Sequence, residues 1–386
     1  MNSSIVSFLS EMTNFEFTSL HAFIIFGIAC FLMVNVSALI GGLGTYAERK
    51  ISADLQMRQG PNRVGPFGIL QFLADGVKLL LKEIIIPTQA DKVLFLISPL
   101  LCLAGVFATL AVLPISSGLI LTDLNIGILY VLGVSSLVGV GIFLGGYSSN
   151  SKWSMLGGMR GAAQIISYEV PVTLCIISIV LMAGGLSMTT LVNEQGGLPH
   201  QWYILHNPFA FIGFFVFFIG ILAESNRAPF DLPEAESELV SGYHTEYSGM
   251  AFSFFALAEY IEVFVLCGIS ATLYLGGYKV PFELGSGELI NSTLGGPEFI
   301  GKGIGQLLQL GAFFTKTFLL YYVVIWIRWT LPRLRVDQLV SLCWKYLTPI
   351  SIINLIGIAA WEWIFKGQSI FNLIASLLHS SGGGGH

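Results

Sequence analysis

Apolar runs of about 18 residues or more recur along this chain, and each is long enough to carry a helix across a hydrocarbon core about 30 Å thick. Only 11% of the 386 residues are charged and 54% are hydrophobic, with a mean hydropathy of +0.77. The expected fold is all-α: a polytopic integral membrane protein of about eight transmembrane helices plus one amphipathic interfacial helix. The runs place spans near 21–46, 94–114, 128–147, 162–185, 208–224, 250–276, 311–331 and 347–365. Residues 1–376 read as a single transmembrane domain whose inner loops are 47–93 and 224–249. Residues 377–386, ending in SSGGGGH, read as a disordered tail.

Lys and Arg accumulate on the cytoplasmic side of a membrane protein, or its matrix or stromal equivalent. Loops after spans one, three, five and seven hold 14 of the chain's 18 Lys and Arg. Both termini are therefore expected on the outer side. No Lys or Arg precedes Arg49, so the first apolar run lacks the basic start of a secretory signal and reads as a retained span. The five Cys stand singly at 30, 102, 175, 267 and 343, a spacing that encodes neither a metal site nor an iron–sulfur cluster. Gly301, Gly303 and Gly305 form a GxGxG with no preceding strand. They read as an outward-facing turn rather than a nucleotide site.

The segment ESNRAPFDLPEAESELVSGYHTEY interrupts this composition. It holds Glu224, Asp231, Glu234, Glu236, Glu238 and Glu246 against one Arg227, six of the chain's 23 acids. Composition alone allows a solvated hinge. Like charges beside a membrane also repel and push carboxylate pKa values upward, which makes the loop a candidate proton-handling site. Pro229 and Pro233 restrain its shape.

The first inner loop carries a second signal. Gln71, Asp75, Lys78 and Lys82 fall at helical spacing among Phe67, Leu70, Phe72, Leu73, Val77, Leu80 and Leu81, so residues 66–83 read as an amphipathic interfacial helix. A basic turn with Arg58 and Arg63 precedes it. It suits lipid headgroups, or a doorway for a lipid-soluble molecule with a polar head.

Ionised groups at the bilayer centre cost about 2.5–3.5 kcal/mol on the insertion scale and usually serve function. Glu169 lies in span four before Pro171, and Glu259 and Glu262 share one face of span six. With Glu224 they could continue the acidic loop into the bilayer. Structural, hydrogen-bonded acids are the alternative. Lys316, in span seven, could snorkel outward or pair with a buried Glu.

These residues resemble a known family. AERK at 47–50, QMRQGPNRVGPFG at 56–68, ADGVKLLLKE at 74–83, SSNSKWSMLGGMRGAAQIISYEVP at 148–171, AESNRAPFDLPEAESELVSGYHTEYSGM at 223–250 and RWTLPRLRVDQL at 328–339 are similar to a membrane-subunit family of complex I (NADH:quinone oxidoreductase), found in bacteria and, as a counterpart, in mitochondria. The resemblance covers roughly residues 25–350 of this sequence.

The resemblance implies a membrane subunit of a proton-pumping NADH:quinone oxidoreductase with no catalytic residue, metal or redox centre of its own. Quinone would be the substrate, bound in a chamber shared with hydrophilic-arm subunits. NADH, FMN and iron–sulfur clusters would reside in partner subunits. Small and antiporter-like membrane subunits and membrane lipids would be further partners, and no nucleic acid is implied. Carried over by position, Glu48, Arg49, Arg58, Arg63, Arg227, Asp231, Arg333 and Arg335 would belong to the quinone chamber. Glu169, Glu224, Glu234, Glu236, Glu238, Glu246, Glu259 and, as an addition in this chain, Glu262 would form the proton path. The expected location is a bacterial plasma (inner) membrane, ahead of a mitochondrial inner or thylakoid membrane.

Three departures stand out. The family's usual AEYANM is AEYIEV here, which adds Glu262, and Val336 replaces the usual tyrosine after Arg335. The stretch 277–310 is longer than the family pattern and could meet a neighbouring subunit. A subunit of an energy-converting hydrogenase, a secondary transporter and a purely structural anchor remain as alternatives. A transporter should show an internal repeat, and the full PFDLPEAESELVSGYHTEYSG run favours the quinone-linked branch over the hydrogenase.

Overall fold

In lipid, a backbone polar group that finds no partner within the protein costs several kcal/mol, so long apolar segments fold as helices. The computed structural model describes residues 19–234, 236–281, 298–365 and 369–371, and contains helices without strands among them. Seven stretches are long and apolar enough to cross a membrane. Six are led by helices α1 (Ser19–Leu55), α3 (Lys92–Leu110), α4 (Gly127–Ser148), α5 (Lys152–Ala183), α10 (Gly249–Tyr274) and α11 (Glu298–Thr330). The seventh, Val336–Phe365, joins α12 (Val336–Leu342) to α13 (Thr348–Phe365) through a π-helical turn at Cys343–Leu347. An eighth apolar helix, α8 (Pro208–Glu224), has 17 residues. Short helices α2 (Gln71–Leu81), α6 (Met188–Asn193), α7 (Tyr203–His206) and α9 (Glu236–Leu239) lie between them.

Two helices organise the bundle. One is α5, which packs against α4, α8 and α13; the other is α10, which packs against α1, α3, α8 and α11. Close approach depends on glycine. A Cβ on Gly146 of α4 would lie 2.5 Å from the Ser154 carbonyl and 3.0 Å from the Gly158 Cα of α5. Small residues at such crossings let backbones meet where lipid supplies no hydrophobic drive.

Several boundaries differ from the sequence-based expectation. The first inner loop, expected from residue 47, begins after Leu55, because α1 continues without a breaker through AERKISADL. Glu48 and Arg49 are thus helical. The interfacial helix starts at Gln71 rather than Pro66. Gly65, Phe67 and Gly68 take φ values of 73°, 56° and 81°, in the left-handed region that interrupts a right-handed helix. Its expected amphipathic pattern is present: Asp75 turns to Arg49, while Leu73, Val77, Leu80 and Leu81 stay exposed. Gly301, Gly303 and Gly305 form no turn; they lie in the first turns of α11, which begins 13 residues ahead of the expected span. The GPN turn and glycine runs carry equal weight in one dimension. Packing decides which of them a helix crosses.

Pro171 does not break α5. Its ring lacks the N–H that would reach Ser167 O, and the Cys343 thiol of the π-helical turn donates to that carbonyl instead at 2.9 Å. Tyr168 OH donates to Leu339 O at 3.1 Å, which fixes α12 to the same stretch of α5. The tail 377–386 and much of the extended 277–310 stretch lie outside the described residues.

Candidate functional site

The acidic segment is a folded lid on the bundle rather than a solvated hinge. Phe230, Leu232, Leu239, Tyr243 and Tyr247 are buried and hold it down by apolar contact. The Tyr168 and Phe230 rings meet edge to face at 5.4 Å. Gln164 of α5 donates to Ala223 O at 2.6 Å and Asn226 Oδ1 at 3.2 Å, tying the segment's start to the bundle. Glycine fixes its return path: Gly242 has φ 59°, and a Cβ there would lie 1.6 Å from Pro233 O. Only a residue without a side chain fits that turn.

At the centre lies Arg227, 3% exposed. Its Nη1 donates to Glu48 Oε2 at 3.2 Å, its Nε lies 3.5 Å from Glu259 Oε1, and the guanidinium sits 4.3 Å from the Tyr260 ring centroid. Glu48 also accepts from Arg328 Nη1 at 2.5 Å. Burial disfavours the Arg227 charge, but Glu259 and then Glu48 outweigh it and hold the guanidinium well above its usual range. The ion pairs join α1, the acidic segment, α10 and α11 at one end of the bundle. Beside them Arg333 Nη2 donates to Asp231 Oδ2 at 2.9 Å, and Leu334 N–H donates to Pro229 O at 3.0 Å.

From this hub, acids continue into the bundle. Glu259 has Arg227, Asp231 and Glu48 as electrostatic neighbours. Glu262 is 6% exposed, and of the carboxylates around it Glu224 acts most strongly, ahead of Glu259. Glu224 in turn neighbours Glu169 and Ser135. The structure thus brings together Glu48, Arg227, Asp231, Arg333, Glu259, Glu262, Glu224 and Glu169.

Other expected site residues stand apart. Arg49 pairs with Asp75 at 2.5 Å on the surface, and Arg58 donates to Gln56 Oε1 at 2.6 Å. Arg63 and Arg335 are exposed. Glu238, half exposed, pairs with Arg160 at 2.6 Å. Glu246 is half-buried, and the side chain of Glu236 lies outside the described residues. Glu234 lies 3.5 Å from His244 Nδ1. Arg328 is the member that sequence reasoning missed. It stands in the RW that opens the 328–339 motif, where it counts only as one more inner cation.

Burial lowers the His244 pKa to about 4 despite the nearby Glu234. The contact is not aligned as a hydrogen bond, so desolvation prevails and the ring stays neutral near pH 7. In the unfolded chain the ring titrates near 6.5. The unfolded state therefore binds more protons between these values, and stability falls as pH drops from about 6.5 through about 4, by about 3 kcal/mol in all. Thermal inactivation across that window is expected to show the loss. His244→Phe should flatten it.

Lys316 pairs with no carboxylate among the described residues. Its Nζ donates to Gly277 O at 2.9 Å and Lys279 O at 3.1 Å, and lies 4.8 Å from the Trp202 ring centroid. It closes the turn after α10 at the end of the bundle opposite Arg227.

A buried arginine thus stands between helix-borne carboxylates, roofed by an acidic segment. The family model of NADH dehydrogenase matches residues 27–359. The chain belongs to the NADH dehydrogenase family. The H subunit of NADH-quinone oxidoreductase from Anaeromyxobacter dehalogenans is 47% identical over 334 residues, covering 86% of this chain and 80% of that one. The H subunit from Chlorobaculum tepidum is 46% identical over 321 residues, 82% of this chain and 87% of that one. NADH-quinone oxidoreductase subunit 8 of Rhodothermus marinus is 45% identical over 338 residues, 87% and 96% of the two chains. The family match runs from within α1 to within α13 and so takes in the Arg227 hub and every member of the acid series.

Proposed function

We propose that this chain is a membrane subunit of a proton-translocating NADH:quinone oxidoreductase, or complex I, that lines part of the quinone chamber and begins the acidic path coupling quinone reduction to proton movement. The observation that carries this reading is the unbroken series of electrostatic neighbours from Glu48 and Arg227 through Glu259, Glu262 and Glu224 to Glu169. The names of the relatives support the quinone-linked reading over the hydrogenase and transporter alternatives.

Reduction of a quinone to quinol takes up two electrons and two protons. The electrons would come from an iron–sulfur cluster in a hydrophilic-arm subunit, as NADH and FMN chemistry would be housed there too. This chain's part is electrostatic. Charge arising beside the Arg227 hub perturbs Glu48, Glu259 and Asp231, and coupled carboxylates share that perturbation with Glu262, Glu224 and Glu169. The exposed apolar face of α2, beside the basic turn at Arg58 and Arg63, would admit the quinone tail from lipid. Hydrophilic-arm, small and antiporter-like subunits would cover the rest, in a bacterial plasma membrane with both termini outside.

The test uses the intact assembly. The chain isolated in mild detergent from its native membrane should co-purify with a hydrophilic arm that reduces quinone with NADH. Glu169→Gln should lower quinone-reductase turnover or pumping in proteoliposomes while assembly is kept. Unchanged turnover together with unchanged proton stoichiometry would sink the reading.

A further inference from the structure

The packed helices α5 and α13 each carry a proline, Pro171 and Pro349, and one thiol joins the backbone irregularities around them. In α5, Pro171 leaves Ser167 O without its helical donor. Pro349 cannot donate to Lys345 O, and in an α-helical turn its ring would press on that carbonyl. The backbone widens just ahead of it into the π-helical turn Cys343–Leu347, where Thr348 N–H donates back to Cys343 O. Thr348 Oγ1 donates to the same carbonyl at 3.0 Å. Cys343 is thereby fixed on its own side, and its thiol donates across the interface to Ser167 O at 2.9 Å. Single π-helical turns inside helical stretches recur at functional positions.

A second contact lies beside the first. Tyr168 OH donates to Leu339 O at 3.1 Å, and Tyr168, Leu339 and Cys343 are all fully buried. Glu169 follows Tyr168 directly and precedes Pro171 by two residues, and its own carbonyl accepts from Thr173 Oγ1. The backbone that carries Glu169 is thus held by side-chain hydrogen bonds where the helix ladder has a gap. The other end of the same connection is anchored at the hub, through Arg333 Nη2 to Asp231 Oδ2 at 2.9 Å and Leu334 N–H to Pro229 O at 3.0 Å. Residues 333–347 therefore run from the acidic segment to the proline of α5, and join the two ends of the acid series by a route separate from the acids. We propose that this stretch is a strut that sets the place of Glu169 relative to the Arg227 hub, with Cys343 and Tyr168 as its positioning residues. The proposal rests on the acidic-path reading above, in which Glu169 is the member farthest along the series.

The experiment uses the assembled complex carrying C343A, C343S or Y168F, compared with Glu169→Gln. The redox-difference infrared band that disappears in Glu169→Gln reports on that carboxyl. C343A, which leaves Ser167 O without a donor, should displace the band and slow quinone-reductase turnover about fivefold, the scale of one net hydrogen bond, with KM for quinone kept. C343S retains a donor and should restore both. A role in packing alone would lower thermal stability in C343A and C343S alike and leave the band in place. That result overturns the strut, as does a C343S variant as slow as C343A. Should C343A fail to assemble, Y168F carries the test, since it removes only a hydroxyl: a displaced band supports the strut and an unmoved one overturns it. If Glu169→Gln slows turnover while the other variants leave turnover and band unaltered, the strut falls and the acidic path stands. If Glu169→Gln changes neither turnover, pumping nor spectrum, both fall together.

Discussion

Replacing Arg227 with methionine is expected to destabilise the protein by about 3–5 kcal/mol, the cost of leaving buried charges without their partner. The guanidinium is 3% exposed and lies against two carboxylates, of which Glu48 keeps Arg328 while Glu259 has no second ion pair among the described residues. Methionine has the right reach and no charge, so lost volume contributes little. Thermal unfolding of the purified complex, followed by tryptophan fluorescence or loss of quinone reductase activity, gives the size of the effect. The double substitution Arg227→Met with Glu259→Gln should recover part of it, because the orphaned carboxylate is then gone. If the single variant melts like the unaltered protein, the Arg227 pairs contribute nothing and the hub is misread.

Glu48→Leu should be comparably costly, about 3–5 kcal/mol, by the opposite route. Here two cations lose one anion. Arg227 keeps Glu259 at 3.5 Å, while Arg328, at 24% side-chain exposure, can turn partly towards water. The damage is therefore expected to fall on the join between α1 and α11 rather than on the acidic segment. Hydrogen exchange should report it as faster opening near residues 325–328, with protection at Phe230 and Leu232 retained. Faster exchange confined to the acidic segment would show that Glu48 acts mainly through Arg227.

The contrast between these variants marks what a linear reading can reach. Apolar runs were legible because crossing a membrane is a property of consecutive residues, and α3, α4, α8 and α10 fall close to where hydropathy puts them. Helix ends in polar sequence were less so. AERKISADL and the glycines at 301–305 carry no hydropathy signal, yet helix backbone continues through both. The acidic segment announced itself by composition, and its proline spacing indicated restraint. Its burial did not follow from that, because it depends on Phe230, Leu232 and Tyr243 finding apolar partners on the bundle. Arg328 shows the limit most clearly. A tally of inner cations treats it like the surface Arg335, and only the fold turns it towards Glu48.

Lys316 makes its tie at the far end of the bundle through two backbone carbonyls and a ring face. That contact recognises the path of the chain and ignores the side chains along it. Gly276 and Gly277, with φ values of 72° and 46°, are bound to that path. Residue 279 contributes only its carbonyl to the contact. Drift at that position, whether towards serine, alanine or glutamate, would leave the clasp closed, so this end of the protein can change its chemical face without loosening its grip.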